Sequence, residues 1–325
     1  MTIARSQIIQ LAETLFYHCV SRCVRRAFLC GVDQVSQQSF EHRRAWLIER
    51  IHLLASVFTI DVAGYAIMSN HYHLILHVNH AAAQALSDRE VAERWQVLFK
   101  GSKVVDRYLA GEEGVAELAQ ATLAKWRAQL FDISWFMRCL NENIARRANA
   151  EDNCTGRFWE GRFKSQPLLD EKALLAAMVY VDLNPIRAEM CKSIPESEFT
   201  SAYERIHGKP CEDSTGASKK PLMSFISTDS NLNEACLPCT QAQYFELLDW
   251  SSRVVRADKK GVISIEQPPL LQQLAFNQNQ WQILCTSLGK VTHGAIGALN
   301  QVEHFHQSRG CKRRPRTDVV VQLFG

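Results

Sequence analysis

Hydrophobic and polar positions follow an ordered pattern along the first two hundred residues. Residues 14–24 (TLFYHCVSRCV) read as a first strand, with Arg22, Arg25 and Arg26 at or just beyond its end. In residues 40–57, Phe40, Trp46, Leu47, Ile51 and Leu54 recur at helical spacing. Two further strands, 58–67 and 70–78, are separated by little more than Met-Ser-Asn, which predicts a tight hairpin-like connection. The alternation in MSNHYHLILH predicts that the later strand is half-buried. Residues 80–130, rich in Ala, Glu, Lys and Leu, read as helices inserted into the fold. Another helix is predicted at 132–149, with Asp132 or Ser134 as its N-cap. A turn and strand follow at 156–169. Asp170 then opens a helix that ends near Asn184, because Pro185 follows.

The resulting order, β-α-β-β-α-β-α, predicts an α+β fold with a ferredoxin-like antiparallel sheet and a trailing helix, over about residues 10–200. Beyond residue 200 the composition changes. Residues 201–239 read as a linker, centred on a stretch at 208–235 rich in Ser, Lys, Asp, Gly and Asn. Residues 240–325 read as a mostly helical region that ends with RGCKRRPR, a run of basic residues without an acid. No internal repeat is visible.

Composition narrows the class without naming a partner. A chain of 325 residues, 46% hydrophobic and 22% charged, is that of a globular protein with one large or two ordinary domains. Its net charge of +3 neither demands nor excludes nucleic acid, so local patches carry more information. Eleven cysteines without a secretory leader, and no apolar run of membrane-spanning length, point to a reducing cytoplasm and no membrane. Cys236-Leu-Pro-Cys239 has the spacing of half a zinc site, but no second half follows, and an ordinary loop is the better reading.

Chemistry enters with the histidines. Successive side chains on a strand point to opposite faces, so His71 and His73 share a face and Tyr72 points away. Two imidazoles about 7 Å apart can converge on one metal ion, although two surface histidines would look the same. Tyr180 and Asn184 lie four apart on one helical face, which Ala173, Ala176 and Ala177 continue with small residues that would let a flat ligand approach. A core tyrosine and a helix C-cap would fit that pattern too. The segment RFWEGRFKS sets Arg157, Arg162 and Lys164 among Phe158, Trp159 and Phe163, and the helix at 132–149 adds Arg138, Arg146 and Arg147. Cations for phosphates and aromatics for bases are the devices of single-stranded nucleic-acid binding.

Taken in order, His71-Tyr72-His73 on a strand, RFWEGRFKS, and a helix reading MVYVDLNPIRAEM resemble the single-tyrosine HUH transposases. The resemblance is to their REP-associated tyrosine transposase branch, and it covers roughly residues 10–200. It implies that His71, His73 and Asn184 hold a divalent magnesium or manganese ion and that Tyr180 is the nucleophile. The substrate it implies is single-stranded DNA with hairpin or palindromic ends, cut to leave a 5′-phosphotyrosine link and a free 3′-hydroxyl, then rejoined. With it come Arg22, Arg138, Arg157, Trp159, Arg162, Phe163 and Lys164 as the candidate DNA surface, and a nucleoid-associated location. A homodimer whose partner contributes the Tyr180 helix stays open.

Tyr180 is also the best of seven tyrosines on geometry. Tyr72 points to the wrong face, whereas pattern alone does not dismiss Tyr65 and Tyr17. Two positions depart from the family pattern: Ser69 stands where proline is common, and Tyr72 where an aliphatic residue is usual. The insertion at 80–130 is unusually long. A DNA-binding protein that keeps the fold without cutting is the alternative. A histidine-triad hydrolase is disfavoured, because Ile75 occupies the third position of H-x-H-x-H.

Overall fold

The computed structural model describes residues 8–24, 29–32, 37–208, 220–227, 235–255, 267–291, 294–309 and 317–324. Arg25, Arg26, most of the polar stretch at 208–235 and nearly all of RGCKRRPR lie outside the described residues.

Four antiparallel strands form the centre. They are β1 (Phe16–Arg22), β2 (Ile60–Ile67), β3 (His71–Val78) and β4 (Lys164–Leu168), in the order β2-β3-β1-β4. Helix α1 (Arg43–Val57) connects β1 to β2, and β2 runs into β3 through Met68-Ser69-Asn70. Between β3 and β4 lie α2 (His80–Ala85), α3 (Asp88–Leu98), α4 (Lys103–Leu109), α5 (Ala116–Leu130) and α6 (Ile133–Glu151). The chain therefore has an α+β fold with a split βαβ connectivity. The β2-β3 hairpin fixes the register of the histidines, because Ile67 pairs with Tyr72, and Met68 N–H donates to the His71 carbonyl at 2.8 Å.

The inserted helices follow ordinary sequence logic. Ser87 and Glu90 make a capping box at the start of α3. Trp95 stacks on Phe99 and Trp126, with ring centroids 4.2 and 5.3 Å apart, and Trp135 of α6 packs beside them. Asp132 caps α6 by accepting from Ser134 N–H at 2.5 Å.

One expectation needs correction. A half-buried β3 would alternate, yet every residue of β2 is buried, and every residue of β3 except the partly exposed His71. The sheet is covered on both faces. On one face Tyr17, Tyr65, Tyr72, Leu74 and Leu76 pack with α1, α6 and the inserted helices. On the other, Ala63, Ala66, Ile75 and Leu168 pack against α7 (Glu171–Asp182). Alternation fades in a strand that has no solvent-facing side.

The second core extends well past residue 200. After α8 (Asn184–Arg187) and α9 (Ser201–His207) come α10 (Gln241–Val255), α11 (Pro269–Gln273), α12 (Gln278–Val291), α13 (Leu299–Ser308) and α14 (Thr317–Phe324). Leu247, Leu248, Trp281, Leu284 and Leu288 join the cluster that contains Leu174, Met178 and Val181 of α7. Asp170 links the two stretches directly, accepting from Ala173 N–H to cap α7 and from Ala298 N–H at the start of α13, both at 2.7 Å. Both sheet edges are covered too. Met223 N–H donates to Val62 on β2, and Ile296 exchanges backbone bonds with Pro167 and Leu169 at β4. Among the described residues no helix is long and apolar enough to cross a membrane.

Candidate active site

Strand register puts a row of histidines on the α7 face. Arg22 pairs with His71, Val20 with His73, and His18 with Ile75 on one side and Gln166 on the other. Directly paired residues share a face, so His18, His71, His73 and Gln166 lie together. His18 Nε2 is 2.8 Å from His73 Nδ1, with the rings nearly parallel and 5.1 Å apart. The His71 ring is 4.9 Å from that of His73, and its Nδ1 lies 2.6 Å from Asn70 Oδ1. The buried His73 Nε2 has no partner.

All three imidazoles are held neutral. Burial pushes His18 down to about 4, against a hydrogen bond to Gln166 that acts upward. His71 is also pushed down to about 4, first by burial and then by the charges of Arg22 and Arg187. His73 falls well below the usual imidazole value, first by burial and then through its neighbouring histidines and arginines. Neutral imidazole is the form that can donate a lone pair to a metal.

Tyr180 stands over this row. Its half-buried ring meets those of His73 and His18 edge-on, with centroids 5.8 and 6.2 Å apart. The other strand tyrosines are spent elsewhere. Tyr17 bonds the Thr14 carbonyl, Tyr65 donates to Glu204, and Tyr72 donates to Asn141 at 2.6 Å, all within the opposite core. Tyr244 is buried against Asp182. Geometry thus leaves Tyr180 as the tyrosine beside the histidines.

The helix carrying Tyr180 departs from expectation at its end. Helix α7 stops at Asp182, and α8 resumes at Asn184 with Pro185 in its first turn, where a missing N–H costs nothing. Asn184 is therefore not a terminal cap, and Tyr180, Asn184 and Arg187 line up along one side. Nor do Ala173, Ala176 and Ala177 make room for a ligand. All three are fully buried, in the same core as Ala63 and Ala66 of β2, so their small size lets the helix approach the sheet.

Arg187 is a functional candidate that the pattern missed. Its guanidinium carbon lies 3.9 Å from the centre of the Tyr180 ring. The same group donates to Asn184 Oδ1 and, at 2.7 Å, to the carbonyl of Cys285 on α12. His18 was missed as well, although its parity with Val20 and Arg22 on a strand was a usable signal.

A divalent cation fits part of this arrangement. Two neutral imidazoles stand side by side, and one of them presents an orphaned buried nitrogen. Asn184 Oδ1, the third donor, is engaged by the Arg187 cation and would have to share or release it. Among the described residues no group of three or more His, Cys, Asp or Glu side chains is arranged to hold a metal, so the site depends on that amide.

The candidate DNA residues divide into two sets. Arg22 and Lys164 are exposed at the rim of the histidine face. Arg138 and Arg162 line a cleft with Trp135, Asn141, Trp159 and Phe163 on the α6 side. Arg157 is exposed on the turn between them, which is tied to β1 by Glu160 N–H donating to the Arg22 carbonyl at 2.8 Å. Base stacking on Trp159 and Phe163 does not fit, because each is only 8% exposed. The Trp159 indole donates to the Asn141 carbonyl at 2.8 Å and meets Tyr72 edge-on, so its ring is part of the core. Arg146 pairs with Glu142, and Arg147 lies over Trp46 and near Glu49, so both serve the local surface.

Fold and site together define an α+β protein with a histidine-lined sheet face and one tyrosine above it. No family model and no curated protein matches the sequence. Among solved structures, a REP-associated tyrosine transposase bound to a REP hairpin is matched at a TM-score of 0.37 and 12% identity, over 70% of this chain and 100% of that one.

Proposed function

We propose that this chain is a metal-dependent nuclease and strand transferase for single-stranded DNA, with a ferredoxin-like sheet of the HUH tyrosine transposase type. The observation that carries the proposal is the seating of Tyr180 edge-on above His73 and His18, at 5.8 and 6.2 Å, although the helix and the strands lie far apart in sequence. The resemblance of the three ordered motifs supplies the reaction class.

His71, His73 and Asn184 are the residues that would hold magnesium or manganese. A metal held there would polarise the scissile phosphate and offset the charge that builds on it. Imidazole ligands favour manganese over magnesium. Tyr180 Oη forms a bond to phosphorus while the bond from phosphorus to the 3′-oxygen breaks. The phenol proton passes to solvent, and the departing 3′-oxygen takes one up. Reversal by another 3′-hydroxyl breaks the tyrosine–phosphorus bond and returns the proton to Tyr180. The phosphodiester energy is kept in the covalent link, so no external energy source is needed. Arg22 and Lys164, at the rim, bind backbone phosphates on the approach to the tyrosine. Hairpin or palindromic ends are the substrate that the resemblance implies.

The test incubates the protein with hairpin-containing single-stranded DNA and Mn²⁺, and looks for a covalent adduct on a denaturing gel. The adduct is expected to disappear in Tyr180→Phe and in the double variant His71→Ala/His73→Ala. An adduct that survives Tyr180→Phe overturns the assignment of the nucleophile. A second reading, DNA binding without cleavage, is favoured by the Arg187 cation on Asn184 Oδ1, which competes with a metal for that oxygen. Binding without an adduct on any end sequence decides for it.

A further inference from the structure

A hydrogen bond between two neutral imidazoles has a direction, and here the direction determines what the site can do. If His18 Nε2 donates to His73 Nδ1, the proton of His73 sits on Nε2. That atom is buried and has no partner, and a buried donor with nothing to receive its proton is costly. If His73 Nδ1 donates to His18 Nε2 instead, His73 Nε2 carries a lone pair and no proton. The proton of His18 is then on Nδ1. Gln166 sits directly opposite His18 on β4 and hydrogen-bonds its ring. With Nε2 already facing His73, Nδ1 is the nitrogen left for that contact. The second arrangement satisfies each group in the chain from Gln166 to His73 and leaves one acceptor open, on a ring that meets Tyr180 edge-on.

We propose that His18 is a positioning residue, accepting the Nδ1 proton of His73 and so fixing the Nε2 lone pair toward the site. Asn70 does the same for His71, whose Nδ1 lies 2.6 Å from Asn70 Oδ1. Both histidines of the pair are thereby set in one tautomer by partners that would not touch a ligand, the arrangement by which outer groups orient metal-binding imidazoles. His18 is 3% exposed and its ring is stacked on that of His73, so it holds the ring plane as well as the tautomer. The inference rests on the proposed function for the identity of what Nε2 meets, and the tautomer is readable without any metal.

The decisive measurement is long-range ¹H–¹⁵N correlation NMR of the metal-free full-length protein labelled at histidine, with the signals assigned through His18 and His73 variants. The expected result is His73 protonated on Nδ1 in the wild type. In His18→Phe, which keeps a flat ring and loses the acceptor, His73 is expected to move to the Nε2 proton or to a mixture. Mn²⁺ affinity, measured by calorimetry, is expected to fall about 10- to 100-fold. His18→Gln restores a carbonyl acceptor and is expected to recover the tautomer in part. It also serves as the test if the phenylalanine variant does not fold. His73 protonated on Nε2 in the wild type overturns the proposal, as does a tautomer that neither variant changes. A wild type with the Nδ1 proton that binds no Mn²⁺ upholds the role of His18 and overturns the metal reading of the site.

Discussion

Replacing Arg187 with methionine tests whether the C-terminal helices hold the candidate active site in place. Methionine keeps the length of the apolar stem and removes only the planar cation. Two charge-assisted bonds are lost, to Asn184 Oδ1 and to the Cys285 carbonyl, each worth roughly 1.5–3 kcal/mol. The contact with the Tyr180 ring at 3.9 Å adds about 1 kcal/mol for a partly desolvated pair. The third bond, to the Tyr180 carbonyl at 3.4 Å, is too long to count for much. Against these losses, the buried Arg187 Nε has no partner, and removing it recovers about 1–3 kcal/mol. The balance is a destabilisation of about 3 kcal/mol. It should appear in urea unfolding as a lower midpoint with an unchanged slope. Arg187→Lys is expected to fall between the two, because one ammonium cannot span acceptors that a planar fork reaches together. The covalent-adduct assay should lose at least tenfold in rate under conditions where both proteins are folded, since Tyr180 and Asn184 lose a shared anchor. A midpoint shift worth less than about 0.5 kcal/mol with an unchanged adduct rate refutes the reasoning.

Trp159→Ala is expected to cost about 3–5 kcal/mol in chemical denaturation, as for a buried aromatic; a loss of DNA binding at unchanged stability would show that the ring stacks on bases instead. Arg22→Ala combined with Lys164→Ala should leave the circular dichroism unchanged, weaken single-stranded DNA binding, and lower the slope of log affinity against log salt by about 1–2. An unchanged slope removes that rim from the DNA path. Asp61 gives a pH dependence: burial acts to raise its carboxyl pKa, but the His77 hydrogen bond and the Lys220 charge outweigh burial and hold it below the usual value. A lowered folded pKa contributes stability that is present above the unfolded value of about 4 and is lost as pH falls through the folded value. The stability gap between wild type and Asp61→Asn should therefore be full at pH 7 and shrink below about pH 4, and a gap that widens on acidification contradicts the sign.

The strands and their parity were legible because two-residue alternation depends only on the backbone. That parity placed His71 and His73 on one face and Tyr72 on the other, and the structure has Tyr72 in the opposite core, bonded to Asn141. The Tyr180 helix was legible from its N-cap and from Pro185, but its continuation through Asn184–Arg187 was not. A proline in the first turn of a new helix resembles one that ends an old helix. His18 and Arg187 escaped for a different reason. His18 shares its parity with Val20 and Arg22, but only register with β3 brings it to His73. Arg187, at helical spacing from Asn184 and Tyr180, also reaches a Cys285 carbonyl nearly a hundred residues later. The burial of Trp159 and Phe163 was not legible, because an aromatic between cations has the same pattern whether it faces solvent or core.

The C-terminal helices matter most to what the site demands mechanically. A tyrosine that attacks phosphorus needs a fixed distance to the strand that binds the phosphate, and displacement by about 1 Å is costly in rate. Helix α7 is held on one side by Ala63, Ala66 and Ile75 of the sheet, and on the other by Trp281, Leu284 and Leu288 of α12. Its buried Asp182 accepts from Ser201 and from the backbone of Ala202 in α9, and from Tyr244 in α10. Arg187 then carries the same clamp to the candidate site, joining Asn184 and the Tyr180 ring to the Cys285 carbonyl. A helix gripped on both sides cannot leave the sheet without breaking this second core. A single chain already brings the histidine row and the Tyr180 ring together, and the second core is what holds them so.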